Sequence, residues 1–370
     1  VEIREEEEDS YTNEDLFKIH SWGADLSFRE LITMYEEEEL VKPELQRKYV
    51  WDKPEASRFV DSLLLGLPVP SIFLASTQDK QKLIIDGYQR IMTVYDFVRG
   101  VWSKDNRVFK LSNTDKIHER WRGKAFSELK EHEQRKIRST TIHAIVFEQQ
   151  SPDDGNSSLF QIFERINTSG RSLKSQEIRN CVYQGPINSL LFELNRDPDW
   201  RSLFGVKAYD SRMRDMEFIL RFMALGTDDI WEIGDPAHRI SLKKHLNDFM
   251  GDPVNEGKVD SLRRDFLETI GFVRARIGED AFFNVQQSDP TKIRKRFYPT
   301  IFDSIAIATL LARRKLGDDI PTRRLEQKRR KLIKSEQFKS YISEATMRVE
   351  HITGRINFAA ESLYGVSIAE

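Results

Sequence analysis

Between Lys82 and Val98 the chain changes its hydrophobic period once, and that switch constrains the fold more than any other feature. Lys82-Leu83-Ile84-Ile85 is a short β-branched run, which suits a buried strand. From Ile91 the apolar residues Ile91, Val94, Tyr95 and Val98 recur at helical spacing, so an amphipathic helix follows. Between them lies Asp86-Gly87-Tyr88-Gln89-Arg90. A carboxylate thus ends a strand, Gly87 permits a sharp turn, and Gln89 and Arg90 ride on the first helical turn. Unsatisfied backbone N–H groups and the positive end of the helix dipole gather where that Arg sits, which makes the corner a candidate anion site. The same residues also suit a plain strand–helix junction, with Asp86 as N-cap and Arg90 paired to a surface acid.

A chain of 370 residues with average apolar content can bury a sizeable core, as one large or two medium domains. No apolar run is long enough to span a membrane, and no signal-peptide pattern opens the sequence. The single cysteine, Cys181, excludes an internal disulfide and fits a reducing, cytoplasmic location. Net charge is close to zero but uneven. Acids cluster at Glu5 to Asp9 and Glu36 to Glu39, whereas residues 291–335 carry fourteen Lys or Arg against four Asp or Glu. The densest basic run is Lys328-Arg329-Arg330-Lys331, a candidate DNA contact; the solvated side of a long helix explains it equally well.

In chain order, residues 1–15 read as a mobile acidic lead-in. Leu26 to Glu37 reads as a helix capped by Asp25 or Ser27. Pro43 keeps Val41 to Trp51 extended. A helix follows at Ala56 to Leu65, a strand at Ser71 to Ala75, and a hairpin-like loop at Gln78 to Gln81. Residues 101–125 are polar and irregular, an expected insertion with a strand at Val108 to Leu111. Helix is expected at Phe126 to Ile137, strand at Thr141 to Phe147, a linker at Ser151 to Ser158, and helix at Leu159 to Ile166. The polar turn Asn167-Thr168-Ser169-Gly170 precedes a helix at Leu173 to Tyr183. Strand signals then stop. The expected fold class is α+β: an α/β domain over residues 16–185, then an all-helical domain over residues 186–370.

Three segments taken together resemble a known family. They are Gln46-Arg47-Lys48-Tyr49-Val50-Trp51, Asp86-Gly87-Tyr88-Gln89-Arg90, and Phe163-Glu164-Arg165-Ile166-Asn167-Thr168-Ser169-Gly170 with Leu173, Glu177, Ile178 and Arg179. In order and spacing they resemble the N-terminal domain of GmrSD-type modification-dependent restriction proteins and of phosphorothioate-sensing SspE proteins, over about residues 24–185. The resemblance implies a ParB/sulfiredoxin-like core marked by an Asp-Gly-Gln-Gln-Arg motif. It also implies a module that binds and hydrolyses a nucleoside triphosphate with Mg²⁺, coupled to recognition or cutting of foreign DNA in a restriction or anti-phage system. Tyr88 departs from the motif, where the family usually has Gln; the acid, the turn and the Arg remain.

For triphosphate chemistry, catalysis is mostly positioning and charge neutralisation. Arg90 suits phosphate oxygens by its planar fork. Asp86 suits water-mediated Mg²⁺ binding or orientation of a nucleophilic water, and Gln89 could position that water. Gly87, Gln46, Arg47, Asn167, Thr168 and Ser169 are candidate phosphate-binding positions. Asn167 to Gly170 also fits a helix C-terminal turn with Gly170 left-handed. Trp51 suits core filling better than base stacking, and Arg179 pairs as readily with Glu177 or Asp86 as with a ligand. Sulfiredoxin chemistry needs a cysteine in the turn, where Tyr88 and Gln89 stand. Walker, His-Glu-x-x-His and paired-cysteine signatures are absent. Three functions stay open: an NTPase, a non-catalytic ParB-like DNA-binding or switch module, and a direct DNA nickase. Any of them leaves room for a separate nuclease partner.

Overall fold

A computed structural model describes residues 2–3, 18–41, 51–77, 80–151, 157–166, 174–183, 185–206, 208–210, 212–286, 289 and 292–368. It divides into two compact units, Asp15–Leu173 with Asn180–Val182, and Val1–Glu14 with Lys174–Arg179 and Tyr183–Glu370. Glu2–Ile3 (β1) belongs to the latter. The former contains Lys18–Ser27 (β2), Phe28–Glu36 (α1), Leu40–Val41 (β3), Lys53–Leu65 (α2), Ile72–Ser76 (β4), Lys82–Asp86 (β5), Tyr88–Arg99 (α3), Val101–Trp102 (β6), Arg107–Val108 (β7), Glu131–Ser139 (α4), Thr141–Ser151 (β8) and Ser157–Ile166 (α5).

The described strands of this α/β unit form a mixed five-stranded sheet in the order β2-β8-β4-β5-β3. β4 pairs parallel with β8 and antiparallel with β5, so β5 ends beside the start of β4. Its run Leu83, Ile84 and Ile85 is almost fully buried, as β-branched residues in an inner strand should be. Local signals set the helices. Ser27 Oγ accepts from the Glu30 N–H at 3.2 Å while Glu30 Oε2 accepts from the Ser27 N–H at 2.6 Å, a reciprocal cap on α1. Asp52 and Glu55 do the same for α2, which starts with Pro54 in its first turn and ends on left-handed Gly66. Phe28, Leu63, Leu74, Ile84, Val94 and Phe97 share one core beneath the sheet.

Three expectations for this unit are corrected. The first is the polar insertion at 101–125, which is part of the core. Trp102, Phe109 and Trp121 are buried, with Phe109 against Phe97 at 5.2 Å and against Trp102 at 4.5 Å. Trp121 Nε1 donates to buried Asp61 Oδ1 at 2.5 Å, which satisfies both polar groups. The second is the strand expected at Val108 to Leu111: instead, β6 and β7 form a short antiparallel pair. The helix expected at Phe126 to Ile137 splits into a 3₁₀ turn at Phe126–Glu128 and α4.

Beyond α5 the chain forms Ser175–Val182 (α6), Pro186–Leu194 (α7), Pro198–Phe204 (α8), Arg214–Leu225 (α9), Leu242–Gly251 (α10), Pro253–Glu256 (α11), Val259–Arg276 (α12), Phe283–Val285 (β9), Ile293–Phe297 (β10), Pro299–Leu316 (α13), Leu325–Lys334 (α14), Glu336–Ser343 (α15) and Val349–Tyr364 (α16). The helix α13 is buried nearly continuously from Pro299 to Leu310, through Ile301, Phe302, Ile305 and Ala306 and also through polar Asp303, Ser304 and Thr309. This unit is not all-helical: β9 and β10 pair antiparallel, and β1 adds parallel to β10 through Glu2–Arg296 and Ile3–Phe297. The charged stretch Arg294-Lys295-Arg296 hides the strand signal, because Phe297 supplies its fully buried side chain. The remainder of the acidic lead-in, residue 1 and residues 4–15, lies outside the described residues.

Burial in the helical unit includes charge. Asp303 on α13 accepts from Arg221 Nε at 3.2 Å and from Arg355 Nη2 at 3.2 Å, and all three side chains are excluded from solvent. Arg179 is likewise buried, not at a helix surface as the expected ion pair would place it. Its Nε donates to Asn247 Oδ1 at 2.9 Å, and its Nη1 to Gln176 Oε1 at 2.9 Å and to Glu217 Oε2 at 3.2 Å. Burial pushes its pKa down, opposed by the Glu217 carboxylate.

Candidate functional site

The β5–α3 corner is built by one sterically obligatory glycine. Gly87 has φ +107°, and a Cβ there would lie 2.8 Å from Ile72 Cβ and closer still to its Cγ2. Ile72 is fully buried on β4 and cannot yield. The backbone therefore turns directly from strand to helix against β4, and α3 begins with Gly87 as its N-cap residue. The N-cap is Gly87 and not Asp86, contrary to the plain-junction reading, and a glycine has no side chain with which to cap the turn. The first intrahelical bond runs from the Ile91 N–H to the Gly87 carbonyl at 3.0 Å.

Arg90 pairs with Asp86 rather than with a distant surface acid. Its Nη2 donates to Asp86 Oδ2, and its Nη1 donates to the Pro70 carbonyl at 2.8 Å and the Ser71 carbonyl at 3.1 Å. The Arg90 side chain is only 11 % exposed, whereas that of Asp86 is 45 % exposed. The guanidinium thus ties the strand-entry loop to the helix and holds the carboxylate in place. Its Nη1 nitrogen is committed to main-chain carbonyls, so the expected two-pronged grip on phosphate is not available from that edge. Asp86 Oδ1 has no hydrogen-bond partner among the described residues.

Gln89 has a positional role. Its Oε1 accepts from the Trp51 N–H at 3.2 Å, so the first turn of α3 fixes the chain just downstream of residues 42–50. Trp51 itself packs edge-on to Phe59 at 5.6 Å, as the core-filling reading expects. Lys104 holds the other side of the same residue, donating from Nζ to the Trp51 carbonyl at 2.8 Å. Lys104 escaped the sequence reading because only tertiary structure brings its turn to α3. Buried Asp96 braces that turn, accepting from Ser103 N at 2.9 Å and Ser103 Oγ at 2.6 Å; burial raises its carboxyl pKa despite these bonds.

Tyr88, the departure from the motif, points inward. It is 7 % exposed within the core, and burial pushes its phenol up, with Tyr35 and Asp96 adding to the shift. The phenol-for-amide change therefore falls on a packing position and leaves the half-exposed carboxylate untouched.

The structure brings Asp86, Gly87, Gln89 and Arg90 together. Gln46, Arg47, Asn167, Thr168 and Ser169 lie outside the described residues. Lys328, Arg329, Arg330 and Lys331 sit on α14 of the other unit, and there the DNA-contact expectation for Arg329 is corrected. Arg329 is fully buried and donates to the carbonyls of Asp280, Phe283 and, at 3.2 Å, Ala281. Burial lowers its pKa to about 10, partly offset by Asp280. Helical periodicity explains this: four consecutive basic residues cannot share one face. Lys328 Nζ donates to the Leu363 carbonyl at 2.6 Å, Arg330 pairs with Glu326 at 2.8 Å, and Lys331 is exposed.

Among the described residues no three His, Cys, Asp or Glu side chains converge as a metal site, and no helix is long and apolar enough to cross a membrane. No curated protein matches the chain. Residues 28–184 match the profile of the GmrSD restriction endonuclease, N-terminal domain, and that match suggests a restriction or defence component. The matched stretch spans the β5–α3 corner and both flanking segments of the resemblance, so residues 28–184 are similar to the GmrSD N-terminal domain.

Proposed function

We propose that the β5–α3 corner binds a nucleoside triphosphate with Mg²⁺, and that the chain hydrolyses it as a module of a modification-dependent DNA restriction or anti-phage system. In this reading the α/β unit is ParB/sulfiredoxin-like. The observation that carries it is the pairing of a glycine-forced helix mouth with a carboxylate held at its rim by a nearly buried arginine. First-turn N–H groups supply the phosphate contacts, and the helix dipole adds favourable charge. Arg90 contributes positive charge and positions Asp86, rather than gripping phosphate through Nη1. Gln89 and Lys104 fix Trp51, which follows Gln46 and Arg47 in the sequence. Those two residues, with Asn167, Thr168 and Ser169, are proposed to add further phosphate contacts.

A bound magnesium ion would supply charge neutralisation of the phosphate oxygens beside the carboxylate. Asp86 fits such an ion: one half-exposed carboxylate with one oxygen unengaged by the described residues suits a metal that keeps several waters and takes its other ligands from phosphates. The test is phosphate release from ATP, GTP, CTP and UTP with Mg²⁺, with and without DNA, comparing wild type with Asp86→Asn. The reading expects turnover of at least one triphosphate and its loss in the variant. No turnover under any condition would sink it.

One observation favours a second reading. The commitment of Arg90 Nη1 to Pro70 and Ser71 suits a switch that holds nucleotide without consuming it. That module binds triphosphate and shows no phosphate release.

A further inference from the structure

Basic residues of the helical unit fall into two groups. Those on α13 and the β9–β10 hairpin include several neutralised by acids: Arg313 meets Glu268 at 2.7 Å, Arg314 meets Asp265 at 2.6 Å and Lys292 meets Asp289 at 3.3 Å. The helix α14 differs. Leu325, Arg329, Leu332 and Ile333 face its interior side. The opposite side carries Lys331 and Lys334, with Arg324 at the N-cap and Arg323 just ahead of it. All four are exposed, and none meets a carboxylate among the described residues. The flanking Arg330 is already matched by Glu326, and Lys328 is engaged with a carbonyl.

Lys331 and Lys334 are one helical turn apart on that face, and Arg324 stands at the helix start, two turns before Lys331. At about 1.5 Å per residue the row spans roughly 15 Å. Phosphates of one DNA strand advance about 3.4 Å each along the duplex axis, so the row covers a short stretch of backbone. Lys331 and Lys334 are point charges on flexible stems, which suits phosphate contact rather than base discrimination.

We propose that this face of α14 binds the phosphate backbone of double-stranded DNA. The choice of duplex DNA over other polyanions rests on the restriction reading above, while the surface itself lies outside the family-matched residues. Three to four phosphate contacts, each contributing about −0.9 to the slope of log affinity against log salt, give a slope near −3.

The test uses the full chain without nucleotide and a fluorescent duplex, with anisotropy read across about 50–200 mM salt. Lys331→Ala/Lys334→Ala should weaken binding on the order of tenfold and flatten the slope by about 2, equally on unrelated sequences. Lys331→Arg/Lys334→Arg should retain binding, which separates charge from folding defects. Lys292→Ala, which removes a neutralised cation, should leave the slope unchanged. An unaltered slope in the Lys331→Ala/Lys334→Ala protein overturns the proposal, as does wild-type binding to single-stranded RNA or anionic vesicles but not to duplex. Phosphate release measured without DNA should be the same in the Lys331→Ala/Lys334→Ala protein and wild type, so failure of the nucleotide reading and failure of this surface remain distinguishable.

Discussion

Gly87→Ala perturbs the corner at its least forgiving atom. Two costs add. An L-residue held in the left-handed region costs about 1–2 kcal/mol. The new methyl also overlaps Ile72, which is fully buried on an inner strand, and overpacking of that kind costs about 1–3 kcal/mol. A total near 3 kcal/mol is a large share of the roughly 5–15 kcal/mol that stabilises a typical domain. Because the chain has two units, urea titration read by hydrogen exchange of α3 peptides reports this unit separately. Ile72→Ala removes the methyl that the introduced side chain meets, so the double variant should recover part of the steric cost, with a coupling of about 1–3 kcal/mol. A loss below about 0.5 kcal/mol in Gly87→Ala, or strict additivity in the double variant, would refute the steric account.

Two further outcomes follow from the geometry. Arg329→Ala should destabilise the helical unit by about 3–5 kcal/mol in chemical denaturation, because it strands the buried carbonyls of Asp280, Ala281 and Phe283; the DNA salt slope of the folded protein should stay unchanged. The phenol of Tyr88 is raised above its unfolded value of 10.0, so above that pH the unfolded chain releases the proton first and stability falls. Tyr88→Phe should therefore lose less stability between neutral and strongly alkaline pH, read by thermal melting across that range.

Part of this was legible without coordinates. The period switch at Leu83 to Val98 located β5 and α3, and Gly87 announced the turn, because both signals are local. Ser27 was legible as a cap for the same reason. β2 was not: His20, Ser21, Gly23 and Asp25 give an edge strand little apolar alternation to read. Trp102, Phe109 and Trp121 follow no repeat, so their burial depends on α2 and α3 packing over them. The burial of Arg329 did carry a signal, since it falls on the same helical face as Leu325, Leu332 and Ile333; charge density along the sequence masked it. The bridges from Gln89 and Lys104 to Trp51 join residues 38 and 53 positions apart, beyond any local pattern.

The central claim concerns what the mouth of α3 holds. Calorimetric titration of the four triphosphates into wild type and Asp86→Asn, with and without Mg²⁺, addresses it directly. Asn keeps an oxygen for Arg90 Nη2 and so preserves the corner while removing its charge. The account predicts Mg²⁺-dependent binding of at least one triphosphate by wild type, lost or made Mg²⁺-independent in Asp86→Asn. Equal binding by the two proteins, or no heat with any triphosphate, would contradict it.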